Sequence, residues 1–138
     1  MGDVTYKEYL IKGDRRYAET HEWILIIEGK KARIGISDYA QKKLKSVVYV
    51  EPPEVPKEVK KGDLITTVES IKSVGEIYAP VDCKVTAYNE KLDDDPGLIN
   101  TDPYGEGWIV EVEVKSPEDV EKLLSAEEYV EVIKKEES

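Results

Sequence analysis

From Tyr17 onward the apolar residues fall in short β-rich runs bounded by Gly, Pro and Asp, the pattern of strands joined by tight turns. Trp23 to Ile27 and Ala32 to Ile36 are two such runs. Between them Glu28-Gly29-Lys30 predicts a hairpin turn, with Gly29 free to take a positive φ. Ser37 reads as a helix N-cap, and Asp38 to Leu44 puts Tyr39, Ala40 and Leu44 near one helical face, so a short helix is expected there. Val47 to Glu51 returns to strand. Pro52, Pro53 and Pro56 predict an extended connection with no ladder donors at those positions. Lys61-Gly62-Asp63 is a turn, Leu64 to Val68 a strand, Glu69 to Ser73 a turn and Val74 to Ala79 a strand. Pro80 to Cys83 turns again, into a strand over Lys84 to Asn89. Asp93 to Gly97 and Asn100 to Gly107 read as loops. Trp108 to Val114 alternates apolar and polar, a half-buried strand with Trp108 facing the core.

The last quarter changes character. Ser116-Pro117-Glu118-Asp119 offers a cap, a proline at the first helical position and acids in the first turn. Ser125-Ala126-Glu127-Glu128 is a capping box that starts a second helix, with Tyr129, Val130, Val132 and Ile133 as its apolar residues. Residues 1–16 form a mixed, charged arm with no predicted element, and Tyr6, Tyr9 and Leu10 are its candidate anchors. Residues 17–138 form the body. A weak internal echo, Lys60 to Ile65 against Val81 to Thr86, suggests two related β-halves. The expected fold is mainly β, a flattened sandwich or barrel with short helices attached.

Composition narrows the chemistry. The 138 residues suit one domain on a scale of roughly 100–200 residues per domain. Thirty acidic against 20 basic side chains give a net charge of −10, which repels phosphate backbones and anionic membranes. Trp23 to Ile27 is the longest apolar run, too short for a bilayer span or a signal-peptide core. Met1-Gly2 opens like a myristoylation motif, but Tyr6 stands where that motif needs Ser or Thr. One cysteine and one histidine build neither an internal disulfide nor a Cys/His zinc site. Asp93 to Asp95 lacks the spacing of a calcium loop. These counts suggest a cytoplasmic protein without hydrolytic or metal chemistry.

The informative segment is Val68 to Val74, which places Lys72 at the tip of a turn between two apolar strands. A hairpin tip fixes the backbone and leaves the ammonium in water. An enzyme that must acylate one particular lysine needs that arrangement, although spacing alone also fits an ordinary solvated lysine.

Glu69-Ser70-Ile71-Lys72-Ser73, followed by Tyr78-Ala79-Pro80-Val81, resembles the lipoylation site of the glycine cleavage system H protein family. Three further stretches match in order: His21-Glu22-Trp23, then Gly35 to Gln41, then Asn100 to Trp108. The resemblance runs from about Tyr17 to Tyr129. It implies a hybrid β-barrel of the lipoyl-domain type and a carrier rather than an enzyme. Lipoate would be amide-linked to Lys72, with Glu69, Ser70, Ile71 and Ser73 forming the attachment turn. A biotin carrier uses the same hairpin logic but normally has Met on both sides of the lysine, where this chain has Ile71 and Ser73.

The implied partners are a lipoate ligase or lipoyl transferase and three enzymes: glycine decarboxylase, aminomethyltransferase and dihydrolipoamide dehydrogenase. The cargo is the aminomethyl group of glycine, whose amine is cationic at neutral pH. The resemblance assigns Glu22 and Glu76 to a groove that holds this amine, helped by Thr20. His21 is expected to be a groove or packing residue. Three departures stand out. Cys83 replaces a common Gly, Lys45 and Pro56 replace others, and the arm before Tyr17 is long. The cysteine motivates an alternative, an H-like lipoate-binding protein of sulfur oxidation serving a heterodisulfide-reductase-like complex, with the thiol near the lipoyl sulfurs. A non-lipoylated interaction domain and a small enzyme are weaker readings. The intact lysine turn argues against the first, and the lack of a nucleophile–base pair or metal set against the second.

Overall fold

The computed structural model describes residues 2–138; Met1, and with it the start of the Met1-Gly2 motif, lies outside the described residues. The chain opens with a hairpin of β1 (Val4–Tyr6) and β2 (Tyr9–Ile11). A six-stranded antiparallel sheet follows, built from β3 (Arg16–Tyr17), β4 (Glu22–Glu28), β5 (Lys31–Ile36), β7 (Lys57–Val59), β10 (Cys83–Tyr88) and β11 (Val110–Val114) in the order β3-β4-β5-β11-β10-β7. Between these strands in the chain come α1 (Asp38–Leu44) and a three-stranded antiparallel sheet of β6 (Val47–Val50), β8 (Leu64–Ser70) and β9 (Val74–Tyr78), in the order β6-β8-β9. Two single-turn helices, α2 (Lys91–Asp94) and α3 (Leu98–Thr101), link β10 to β11, and α4 (Pro117–Glu121) and α5 (Ala126–Glu137) close the chain.

Two cores hold these layers together. Ile24, Ile34, Val68, Ile77, Val85 and Val112 are fully or almost fully buried in the main core, to which both sheets contribute. Each such side chain contributes about 1.5–3 kcal/mol of burial. A second core is largely aromatic, with Tyr9, Tyr17, Trp23, Tyr39 and Tyr129 around Ile11 and Ile133. Gly35 serves this core directly. A Cβ there would meet the Trp23 ring at 2.5 Å, so its missing side chain lets the indole lie flat on β5.

Local signals formed as expected. Ser37 caps α1 by accepting a bond from the Ala40 N–H, and Ser125 and Glu128 close a capping box on α5. The echoed segments meet in space. Lys61 N–H donates to Asp82 Oδ1 at 2.9 Å, and Gly62 N–H donates to the Ala79 carbonyl at 2.8 Å. Lys45 takes a positive φ of 67°, with its N–H bonded to the Gln41 carbonyl as the C-cap of α1.

Other readings are corrected or completed. The arm is a hairpin; of its candidate anchors Tyr9 is buried and Tyr6 packs against the second core, while Leu10 is exposed and Ile11 is buried in its place. The proline-rich connection ends in β7, which is a strand because it pairs with β10. The two expected loops are entered by short helices, α2 running into Asp93 and Asp94 and α3 into Asn100 and Thr101. Trp108 is half-buried under the Arg33 guanidinium, 4.5 Å from its ring. Its ring packs against the second core, while Ile109 is fully buried in the main one.

Candidate functional site

The lysine turn is tighter than the sequence suggests. Glu69 and Ser70 belong to β8, and Glu69 still pairs with Val74. Only Ile71, Lys72 and Ser73 lie outside the ladder. Ser70 N–H donates to the Ser73 carbonyl at 2.8 Å, and Ser73 N–H donates back to Ser70 Oγ at 3.2 Å. The Ser70 hydroxyl is also within 3.1 Å of the Ser73 carbonyl. Ile71 N–H reaches the Ser46 carbonyl at 3.2 Å and ties the tip to the segment after α1. Ser70 is buried, whereas Ile71, Lys72, Ser73 and Val74 are exposed. None of the ion pairs among the described residues uses Lys72. The result is a rigid post with a free primary amine at its end.

The three groove residues meet around Tyr78. Glu22, at the start of β4, is only 1% exposed. One of its carboxylate oxygens accepts the Tyr78 N–H at 3.0 Å, and the other accepts the Thr20 hydroxyl. Burial pushes the Glu22 carboxyl above the ordinary glutamate range, and its two hydrogen bonds pull the other way. Glu76 stands exposed on β9 and accepts the Tyr78 phenol at 2.6 Å. Thr20 and Tyr78 also line a cleft of about 560 Å³, together with Tyr17, Leu124, Lys61 and Lys122. Sequence reasoning missed Tyr78 and these two lysines. The only signal for Tyr78 was its place in the Tyr78-Ala79-Pro80-Val81 stretch.

Cys83 is a strand residue, paired with Val59 and Val114 in the six-stranded sheet. It is 6% exposed and belongs to the main core. Burial, with Asp82 beside it, pushes its thiol up to about 12, so almost no thiolate exists at neutral pH. It packs as a small buried residue, and its burial does not suit exchange with a lipoyl sulfur. His21 turns away from the cleft toward α5.

A lysine on a hairpin tip, standing on this hybrid of two β-sheets, defines a carrier domain of the lipoyl type. The family described as glycine cleavage H-protein matches residues 15–136. A glycine cleavage system H protein 4 from Aquifex aeolicus is 48% identical over 97% of this chain and 78% of its own length. A probable glycine cleavage system H protein 1 from Sulfolobus acidocaldarius is 47% identical over 99% of both chains. The crystal structure of a glycine cleavage system H protein from Mycobacterium marinum superposes with a TM-score of 0.78. That protein is 37% identical, over 88% of this chain and 97% of its own. The chain belongs to the glycine cleavage H-protein family.

Proposed function

We propose that this protein is the lipoyl carrier of a glycine cleavage system, with residues 17–138 as the carrier body and residues 1–16 as an arm clipped to it. The observation that carries the reading is the Ser70–Ser73 turn, whose bonds hold the backbone still while leaving the Lys72 amine exposed and unpaired among the described residues. These features fit a lipoyl group in amide linkage. Ser70 and Ser73 set the shape of the tip, and Glu69, Ile71 and Ser73 offer the acylating enzyme its nearest side chains. When attached, lipoate supplies a disulfide that takes up the aminomethyl group of glycine from glycine decarboxylase. Aminomethyltransferase and dihydrolipoamide dehydrogenase would be the later partners. Tethering raises the local concentration of the cargo at each of their sites.

Glu22 would hold the cationic amine, with its carboxylate oriented by the Tyr78 N–H and the Thr20 hydroxyl. Glu76 adds negative charge at the rim. A charge-assisted bond of this kind holds an ammonium with about 1.5–3 kcal/mol. The sulfur-oxidation alternative leaned on Cys83, and a buried, protonated thiol in the main core gives it no support.

The test supplies lipoylated protein with glycine decarboxylase of the same organism, pyridoxal phosphate and labelled glycine. Label is expected on the protein, at Lys72 by peptide mass analysis. Lipoylated protein that takes no label would overturn the glycine reading.

A further inference from the structure

The turn that delivers Thr20 and Glu22 contains a backbone anomaly. His21 has φ 83°, beyond the usual left-handed range and uncommon for any residue other than glycine. Its backbone is held on both sides. His21 N–H donates to the Ala18 carbonyl at 3.0 Å, Ala18 N–H to the Glu22 carbonyl at 2.9 Å, and Ser37 N–H to the His21 carbonyl at 3.0 Å.

The imidazole is clamped by α5. Nε2 lies 2.7 Å from a Glu136 carboxylate oxygen, and Nδ1 lies 2.6 Å from the Tyr129 phenol. A carboxylate only accepts, so Nε2–H donates to Glu136, and Nδ1 shares a hydrogen bond with the Tyr129 phenol. Tyr129 Oη is in turn 2.6 Å from Ser37 Oγ, which also accepts the Ala40 N–H as the cap of α1. The Tyr39 ring lies 5.1 Å from the imidazole. One chain of hydrogen bonds thus runs from the cap of α1 through Tyr129 and His21 to the last turn of α5. Glu22, the next residue, faces Tyr78 of β9 instead.

We propose that His21 is a positioning residue, clamped by Tyr129 and Glu136 of α5 in the positive-φ turn that sets Thr20 and Glu22 against Tyr78. Without the clamp the turn relaxes toward ordinary φ, and the Glu22 carboxylate leaves its donors for water. The effect on cargo rests on the groove role proposed above, whereas the effect on Glu22 itself does not.

The test therefore reads two quantities in full-length protein. The first is the Glu22 titration midpoint, followed by side-chain carboxyl ¹³C shift in protein without lipoate. The second is the rate at which lipoylated, glycine-charged protein releases ammonia. In His21→Ala the Glu22 midpoint is expected to fall toward that of an ordinary glutamate, and release should quicken several-fold. Tyr129→Phe and Glu136→Ala each remove one arm of the clamp and should fall between. They also carry the test if His21→Ala does not fold. His21→Asn, which tolerates the left-handed region, should recover part of both values. Ile109→Val, a core change remote from the clamp, should lower thermal stability and move neither.

A Glu22 midpoint unchanged in folded His21→Ala, or unchanged in both milder variants, would overturn the proposal. A midpoint that falls while ammonia release stays constant would support the clamp and sink the groove reading of Glu22.

Discussion

The turn at Ser70–Ser73 and the turn at Ala18–Glu22 make an instructive pair. The first is closed by its own residues, since both serines that fix it lie within four positions of sequence. The second also closes on its own backbone, but its side chains are held from afar: Tyr78 is 56 residues from Glu22, and Tyr129 is 108 from His21. The first leaves its key side chain in water, and the second buries its key carboxylate. A carrier post needs only a rigid tip, which a short sequence can encode. A seat for a reactive amine needs a dry, oriented carboxylate, which only several elements together can build.

The sharpest way to break the comparison is at the post. Lys72→Arg keeps the charge and the length, but its guanidinium is a poor acyl acceptor. Incubated with lipoate ligase, ATP and lipoate, wild type is expected to gain a single lipoyl mass and Lys72→Arg none. A second addition, or one that persists in the variant, would remove Lys72 from its assigned place.

The next effect is at the seat. Glu22→Gln should leave lipoylation efficient and speed release of ammonia from charged protein by roughly tenfold, the value of about 1.5 kcal/mol in one charge-assisted bond. Equal release rates in variant and wild type would count against the seat. The variant also has a signature in stability. Burial raises the Glu22 pKa in the folded state above its unfolded value. The folded protein therefore holds a proton that the unfolded chain gives up. This contribution to stability is fully present below the unfolded pKa and is lost as pH rises through the raised folded pKa. A glutamine side chain does not titrate, so chemical denaturation across that window should show a flatter profile for Glu22→Gln than for wild type.

The contrast between the turns also separates what the sequence showed from what it hid. Ser37, Ser125 and Glu128 act on backbone within four residues, and each was legible. So were the β4–β5 and β8–β9 hairpins, whose turns are short. β7 was hidden because three residues after a proline run carry no pattern of their own; β10 makes them a strand. The order of the arm was hidden for the same reason. Tyr9 and Ile11 are buried only because the second core surrounds them, and Glu137 of α5 accepts the Tyr9 phenol at 3.0 Å. Trp108 packs against the second core rather than the main one, because β11 begins only at Val110. Ile109 and Val110 are both fully buried, so the period of two does not extend back to the indole. At the site, the lysine tip and both carboxylates were named from motif matches. The difference in burial between Glu22 and Glu76 was invisible, since it depends on which strand end lies under which turn.

A smaller effect is expected within the post. Ser70→Ala deletes the hydroxyl that takes the Ser73 N–H and leaves the backbone bond from Ser70 N–H to the Ser73 carbonyl intact. The loss should be about 1 kcal/mol, or roughly 3–5 °C in melting temperature. Lysine acylation should continue, more slowly. A variant with unchanged melting temperature would show that the backbone bond alone holds the tip.

The smallest effect is expected at Glu76, and it tests the comparison most finely. Glu22 and Glu76 share Tyr78 as a donor, one through its N–H and the other through its phenol. They differ in solvent: Glu22 is buried, and Glu76 is exposed on β9. An exposed carboxylate is screened by water and salt, and its attraction to a passing ammonium is weak. Glu76→Gln should therefore change ammonia release by less than about twofold, and high salt should erase the difference. The Glu22→Gln effect should survive the same salt, because the Glu22 carboxylate itself is buried. Release measured for both variants at low and high ionic strength decides the matter. If Glu76→Gln matched Glu22→Gln in size and resisted salt, the amine would be seated at the rim of the sheet, and the buried carboxylate would serve only to hold the turn.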